Sequence, residues 1–170
     1  RKDPGYVARA KTVNDLEQAR RQLIRSSGGE VPPDLQALAS KLIEQGIAEG
    51  ARDIWYDTGI GSVVYAVKPG DGSAREQAAS SQKVLGGWAN IAVSYATKRY
   101  RSNLINWGML PFLVKDASVL ENGDYVFIPW VREGLAEGES SFKGYVLGHQ
   151  AVRDIDLHLH APVFHEGAEQ

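Results

Sequence analysis

Cysteine is absent from this chain of 170 residues. The sequence therefore excludes a disulfide scaffold, a thiol nucleophile and any zinc or iron–sulfur site that its own cysteines would hold. Apolar runs of the roughly 20 residues that cross a bilayer are also absent, so we expect no membrane partner. Neither sign of charge dominates, because 19 Lys and Arg residues stand against 21 Asp and Glu residues, and this balance argues against nucleic acid as a partner.

The size and composition fit one ordinary globular domain. Hydrophobic residues make up 43% of the chain and charged residues 24%, which is the usual proportion for a folded protein. The chain starts at Arg1 rather than at Met, and no apolar signal-peptide segment follows. We therefore expect a cytoplasmic piece or subunit of a larger unit, folded as a single domain over residues 1–170.

Residues 1–50 contain two stretches in which apolar residues recur at helical spacing. Thr12 is a fitting N-cap for the first stretch, which the Ser26–Gly29 run ends. Pro32–Asp34 opens the second stretch, and Gly50 is its predicted stop. This part is therefore predicted to be helical, and residues 51–170 are predicted to form the core.

After residue 50 the apolar pattern changes to short, continuous runs typical of buried strands. These strands are predicted at 63–67, 90–95 and 110–114, with helices at 73–85 and 98–107 between them. The alternation predicts an α/β fold with a mostly parallel central sheet and flanking helices. Later strands at 124–128, 142–147 and 155–163 lie between turn signals and are predicted to be more antiparallel, forming a barrel-like second β layer.

The segment from Val63 to Arg75 is the one most suggestive of chemistry. A buried strand runs into a glycine-rich turn and then into a helix that begins near Ser73. The free N–H groups and the positive end of a helix dipole favour an anion at such a place. Arg75 in the first turn opposes the dipole unless an anion lies near it. Ser73 also suits the ordinary structural role of an N-cap, so both interpretations stay open.

A longer string around this turn resembles a family signature. Residues 70–79 read Gly-Asp-Gly-Ser-Ala-Arg-Glu-Gln-Ala-Ala and are similar to the Gly-Glu/Cys-Gly-Ser-Ser-Arg-Glu-His-Ala signature of the aconitase family. Four further family motifs follow in the family's order, at 85–89, 94–96, 101–104 and 108–112. The resemblance covers residues 63–114 and concerns the C-terminal swivelling domain, or the small subunit of isopropylmalate isomerases.

The resemblance implies a swivelling β/β/α domain and a set of site residues. Ser73 matches the serine that the family uses as a base beside a substrate carboxylate, and Arg75 matches the arginine that binds a carboxylate. Gly72 and Ala74 match substrate-binding positions of the same signature. Further substrate-binding candidates are Arg9, by position only, and Arg101 and Asn103 in the Arg-Ser-Asn-Leu motif.

The resemblance also implies what must lie outside this chain. A [4Fe–4S] cluster is expected on partner domains, in the same polypeptide or in a separate large subunit, with no cofactor in this chain. The implied activity is a hydro-lyase reaction that dehydrates and rehydrates a hydroxy-polycarboxylic acid, and this chain alone is expected to be inactive. Two positions depart from the signature, since Ala74 replaces its second serine and Gln77 its histidine.

Other functions compatible with the sequence remain. A non-catalytic binding or regulatory domain would keep the fold and lose the serine at position 74. An unrelated phosphate-binding α/β domain would use the same glycine-rich turn. His158 and His160 share one face of a predicted strand, but without a third ligand we expect no metal site. The basic cluster of Lys98, Arg99 and Arg101 is interpreted as a solvated helix face or an interdomain contact rather than a phosphate or RNA site.

Overall fold

The structure is a computed structural model that describes residues 3–26, 29–148 and 152–160. Helices α1 to α6 span Tyr6–Arg25, Pro33–Glu44, Ala51–Asp57, Arg75–Val84, Lys98–Asn106 and Val131–Ala136. Strands β1 to β6 span Ser62–Ala66, Gly87–Ala92, Leu110–Leu113, Tyr125–Phe127, Ser141–Leu147 and Arg153–Leu159. A short 3₁₀ turn lies at Ala117–Val119. Across these described ranges, no helix is both long and apolar enough to span a membrane.

The six strands form one mixed sheet in the order β1-β2-β3-β6-β5-β4. Strands β1, β2 and β3 are parallel, and helices α4 and α5 are the crossovers between them. Strand β6 pairs antiparallel with β3, which places Phe112 opposite Leu159, and β5 and β4 continue the antiparallel part. The predicted α/β class with flanking helices is confirmed, and the barrel-like part is the continuation of the same sheet as it curls into a half-barrel.

The sheet is apolar on one face along its antiparallel half. In β6, Ile155, Leu157 and Leu159 are buried while the residues between them are exposed. This alternation is the period of two that a strand imposes on its side chains. The buried residues join Ile91 of β2 and Phe112 of β3 in one core, so the parallel and antiparallel halves share their apolar interior.

A second core joins the N-terminal helices to the far edge of the sheet. Leu16 of α1, Leu35 of α2 and Trp55 of α3 pack together with Leu147 of β5. The Trp55 indole N–H donates to the Leu35 carbonyl at 3.1 Å, so the ring satisfies its polar atom inside the core. The helical part at the N-terminus is therefore packed against the β-structure.

The carboxylate of Glu17 on α1 is the polar centre of this packing. Glu17 is only 4% exposed and accepts two hydrogen bonds of 2.7 Å from the Arg20 guanidinium. It also accepts a hydrogen bond of 3.2 Å from Arg21 Nε and one of 2.9 Å from the backbone N–H of Ile60, just before β1. Burial alone would raise the pKa of Glu17, but these donors outweigh burial and hold the pKa below its ordinary value.

Glycine ends both crossover helices, as predicted. Gly86 follows α4 with φ of 83°, and Gly108 follows α5 with φ of 73°. Only glycine adopts this left-handed conformation without strain, so each helix stops where a strand must begin. Strand β2 accordingly starts at Gly87, three residues earlier than predicted, and residues 93–95 leave the sheet as a loop.

Two predicted helix boundaries are wrong. Thr12 does not cap α1, because the helix already begins at Tyr6 and the Thr12 hydroxyl donates to the Ala8 carbonyl within it. Gly50 does not stop α2, which ends at Glu44, and it is instead the N-cap residue of α3. The predicted last strand, 155–163, is described only as far as residue 160, and residues 27 and 28 of the predicted helix stop also lie outside the described residues.

Substitution of Glu17 tests its role in the fold. Glu17→Gln should lower the free energy of unfolding by about 3–5 kcal/mol, because it leaves Arg20, whose side chain is only 12% exposed, without its counter-charge. Folding lowers the pKa of Glu17, so its stabilisation is present above the pKa of an unfolded glutamate and is lost as the pH falls through the folded-state pKa. Urea unfolding across acidic pH should therefore show a flatter acid limb for the variant. The control is exposed Glu44→Gln, and equal effects of the two substitutions would contradict this role.

Candidate functional site

The loop between β1 and α4 carries Ser73 beyond the carboxyl end of the parallel strands. Ligands of open α/β sheets bind at this edge. Helix α4 begins at Arg75, and its N-cap is Ala74, which makes no side-chain cap. The interpretation of Ser73 as an N-cap is therefore wrong, because bends at residues 72 and 73 delay the helix start. Ser73 is exposed, and its hydroxyl has no hydrogen-bond partner among the residues that the structure describes.

A second loop, after β2, runs alongside the first. The Ser94 N–H donates to the Val67 carbonyl at 3.0 Å, and the Ala96 N–H donates to the Pro69 carbonyl at 2.9 Å. These bonds extend the β1–β2 pairing past the last residues of both strands. The two loops thus form one surface, and the start of α4 is fixed relative to the start of α5.

Gly70 is the residue on which the first loop depends. Its φ is 96°, and a Cβ at this position would lie 2.5 Å from the ring of Tyr100. Both the conformation and the close approach require glycine. The Tyr100 ring is itself fixed, because its hydroxyl accepts a hydrogen bond of 2.8 Å from Gln82 Nε2 and one of 2.7 Å from Asn90 Nδ2.

The Gly70 carbonyl joins both helix starts. It accepts a hydrogen bond of 3.2 Å from Arg75 Nε and one of 3.3 Å from the Thr97 hydroxyl. Thr97 is the N-cap of α5, and its side-chain oxygen accepts from the Tyr100 N–H at 3.1 Å. Arg75 is half-buried and held through Nε, while its two terminal nitrogens have no partner within the described part of the chain. The forked end of the guanidinium is therefore available to a ligand.

Gly72 differs from Gly70 in that the fold does not require it. A Cβ at position 72 would meet no atom within 4 Å, and φ is not in the left-handed region. Glycine there leaves the surface beside Ser73 low and open. A ligand that approaches the hydroxyl would benefit from this lack of a side chain.

The charges and dipoles at this place favour an anion. The N–H groups of the first turn of α4 have no partner within the helix, whose first bond runs from the Ala78 N–H to the Ala74 carbonyl. The positive end of the dipole and the Arg75 cation lie at the same point. A carboxylate could accept from the guanidinium fork, and an alkoxide formed at Ser73 would be stabilised by the same groups.

The remaining predicted residues make their hydrogen bonds elsewhere. Arg9 on α1 forms an ion pair with Asp3. Arg101 on α5 donates to His160 at 2.5 Å. Asn103 is half-buried, its backbone carbonyl accepts from the Trp107 N–H, and its side chain makes no hydrogen bond to another described residue. None of the three hydrogen-bonds to the Ser73 loop.

Sequence analysis missed the supporting residues Thr97 and Tyr100. Thr97 carries a recognisable signal, since threonine before a helical pattern is a preferred N-cap. The role of Tyr100 has no local signal, because it depends on the approach of Gly70 from another loop. Among the described residues, no group of three side chains could hold a metal ion, and exposed His158 and half-buried His160 do not form part of one.

Comparison with known proteins finds two similarities, both to proteins of one family. Residues 45–117, which contain β1, α4, β2, α5 and β3, match the aconitase C-terminal domain family. The chain is also 40% identical over 81 residues to the homoaconitase small subunit of Thermus thermophilus, a match that covers 47% of this chain and 49% of that protein. The match thus spans about half the length of the curated relative. The similarity to the aconitase C-terminal domain thus lies in the part of this chain that forms the parallel sheet and the loop that bears Ser73.

Proposed function

We propose that this chain is the substrate-binding and catalytic-serine domain of an aconitase-like hydro-lyase. Such an enzyme would dehydrate and rehydrate a hydroxy-polycarboxylic acid. The observation that carries the proposal is the unpartnered Ser73 hydroxyl, exposed just before the start of α4 and two residues from Arg75, whose terminal nitrogens are unpartnered among the described residues. The match to the aconitase C-terminal domain and the similarity to a homoaconitase small subunit support the same class of enzyme.

In this proposal Ser73 removes the proton from the carbon beside a substrate carboxylate. A serine hydroxyl is a very weak base in water, so its anion must be stabilised by its surroundings. The free N–H groups of α4, the helix dipole and the Arg75 cation would supply that stabilisation before the reaction begins.

Arg75 binds a substrate carboxylate in the same proposal. Its Nε is engaged by the Gly70 carbonyl, which orients the plane of the guanidinium and leaves the two terminal nitrogens for two parallel hydrogen bonds. Because Thr97 donates to the same carbonyl, the orientation of the fork depends on both loops.

The second half of the site lies outside this chain in this proposal. A cluster held by cysteines does not fit residues 1–170, which contain none. We place a [4Fe–4S] cluster on partner domains, in the same polypeptide or in a large subunit, where it would act as a Lewis acid on the departing hydroxyl. The role of this chain would then be to bring Ser73 and Arg75 to the substrate.

Ala74 favours one alternative, a non-catalytic binding or regulatory domain with the same fold. The family signature has a second serine here, and this chain offers the substrate a methyl group in place of that hydroxyl. An assembled protein that binds polycarboxylic acids with no measurable turnover would support this alternative and contradict the catalytic proposal.

Ser73→Ala separates catalysis from helix capping. In the assembled enzyme we expect kcat to fall by about 10²–10⁴-fold, because the base is lost, with KM little changed. The melting temperature should stay the same, because Ser73 makes no capping bond. The control is Ser81→Ala on the exposed surface of α4. Near-normal turnover of the Ser73 variant would contradict the catalytic assignment.

Arg75→Lys tests the guanidinium fork. Lysine keeps the charge but lacks the planar pair of donors and the Nε that binds the Gly70 carbonyl. We expect a raised KM together with a lowered kcat, both measured by steady-state kinetics of the assembled enzyme. Arg99→Lys, on the exposed start of α5, is the matched control. If the two lysine variants have the same kinetics, carboxylate binding by Arg75 is wrong.

The isolated chain should lack activity. Purified residues 1–170 are expected to show no turnover of citrate, isocitrate or isopropylmalate, because half of the site would be missing. Activity should return on addition of the cluster-bearing partner. Turnover by the chain alone, at a rate that Ser73→Ala abolishes, would refute the division of the site between domains.

A further inference from the structure

Arg101 and His160 form a half-buried pair away from the hydrogen bonds of the Ser73 loop. Arg101 is the fourth residue of α5, and its Nη1 donates to His160 Nε2 at 2.5 Å. His160 follows β6, where its backbone N–H donates to the Pro111 carbonyl at 2.8 Å. The Tyr95 ring lies 6.2 Å from the imidazole. The pair is thus held between one helix, one strand end and one aromatic ring.

The pair has donors in excess and no acceptor for them. Arg101 Nε and His160 Nδ1 are buried atoms without a hydrogen-bond partner in the described part of the chain. No described carboxylate lies within ion-pair distance of Arg101. A buried N–H without an acceptor, or a half-buried cation without a counter-charge, destabilises a structure.

The imidazole is a donor at Nδ1 because of its contact with Arg101. A guanidinium can only donate, so Nε2 must accept and the ring proton must be at Nδ1. The charged and titratable groups that face the ring are Arg101 on α5, His158 on β6 and Tyr95 before α5. Burial, Arg101 and His158 lower the pKa of His160, which keeps the ring neutral near pH 7.

The neighbouring charges have the same sign. Lys98 and Arg99 precede Arg101 at the start of α5, and the first turn of this helix contains no acidic residue. Three cations therefore lie at the end of the helix where the dipole is already positive, an arrangement that an anion would stabilise. The Tyr95 hydroxyl donates to the Asn90 and Phe112 carbonyls, so its proton is already used.

We propose that Arg101 and His160 bind an oxyanion, a carboxylate or a phosphate-type group, between α5 and the end of β6. An oxygen of the anion would accept from one of the two unpartnered N–H groups, Arg101 Nε or His160 Nδ1, and the anion would supply the missing negative charge. Both residues are partly exposed but these two nitrogens are buried, so an anion reaches them only when the side chains around them move aside. This site goes beyond the proposed function, since it shares no hydrogen bond with Ser73 or Arg75.

The test measures the pKa of His160 by NMR in the full 170-residue chain. The titration is run in chloride, sulfate and acetate at equal ionic strength, and His160→Gln assigns the signal among the four histidines. We expect the pKa to rise by about one pH unit in the anion that binds, because an opposite charge favours the imidazolium. A rise in sulfate indicates a phosphate-type ligand, and a rise in acetate indicates a carboxylate.

Two variants make the result specific. Arg101→Gln should abolish the anion-dependent change in the pKa of His160, whereas Arg99→Gln on the exposed side of the same helix start should retain it. Arg101→Lys, which keeps a charge, should retain a weaker change if Arg101→Gln fails to fold. The proposal is overturned if the pKa is the same in all three salts, or if Arg101→Gln responds to the anion as the parent chain does.

Discussion

The position of β1 depends on the buried carboxylate of Glu17. Its oxygens bind Arg20 of the same helix and the Ile60 N–H just ahead of β1, and Arg20 in turn donates to the Trp55 carbonyl on α3. One charge on α1 therefore fixes the end of α3 and the chain that leads into the sheet. Without it, the Arg20 guanidinium would lose its counter-charge and the Ile60 N–H would lose its acceptor. The loop that bears Ser73 continues directly from β1, so the position of the candidate site depends on the contacts of Glu17.

From β1 onward, main-chain oxygens rather than side-chain charges hold the site together. The carbonyls of Val67 and Pro69 accept from the second loop, and the Gly70 carbonyl accepts from Arg75 and Thr97. A carbonyl orients a guanidinium without neutralising it. Arg75 therefore keeps its charge, and its two terminal nitrogens have no partner in the described part of the chain, which is the condition that carboxylate binding requires. If an acidic side chain were the partner of Arg75 instead of this carbonyl, that side chain would have bound the terminal nitrogens of the guanidinium.

The sequence predicted the elements better than it predicted their ends. The β-branched run at 63–67 and the glycines at 86 and 108 are local signals, and β1 and both crossover helices agree with them. Thr12 wrongly suggested a helix start, because a residue that can cap a helix does not have to do so, and α1 already begins at Tyr6. Ser73 was misleading for the same reason. Two contacts join residues that are far apart in the chain: the close approach of Gly70 to Tyr100 and the hydrogen bond from the Ile60 N–H to Glu17. No local sequence pattern can reveal such contacts.

Three arginines show how their surroundings separate structural from ligand-binding roles. Arg20 has two hydrogen bonds to a buried carboxylate, so its charge is neutralised and its donors are largely used. Arg75 has one bond to a carbonyl, and Arg101 has one to a neutral imidazole, so both keep their charge and some unused donors. Sequence motifs indicated Arg75 and Arg101 as candidates without distinguishing their sites. The structure distinguishes their surroundings, since Arg75 lies two residues from exposed Ser73, whereas Arg101 contacts the imidazole of His160. The first arrangement suits chemistry on a bound acid, and the second suits binding alone.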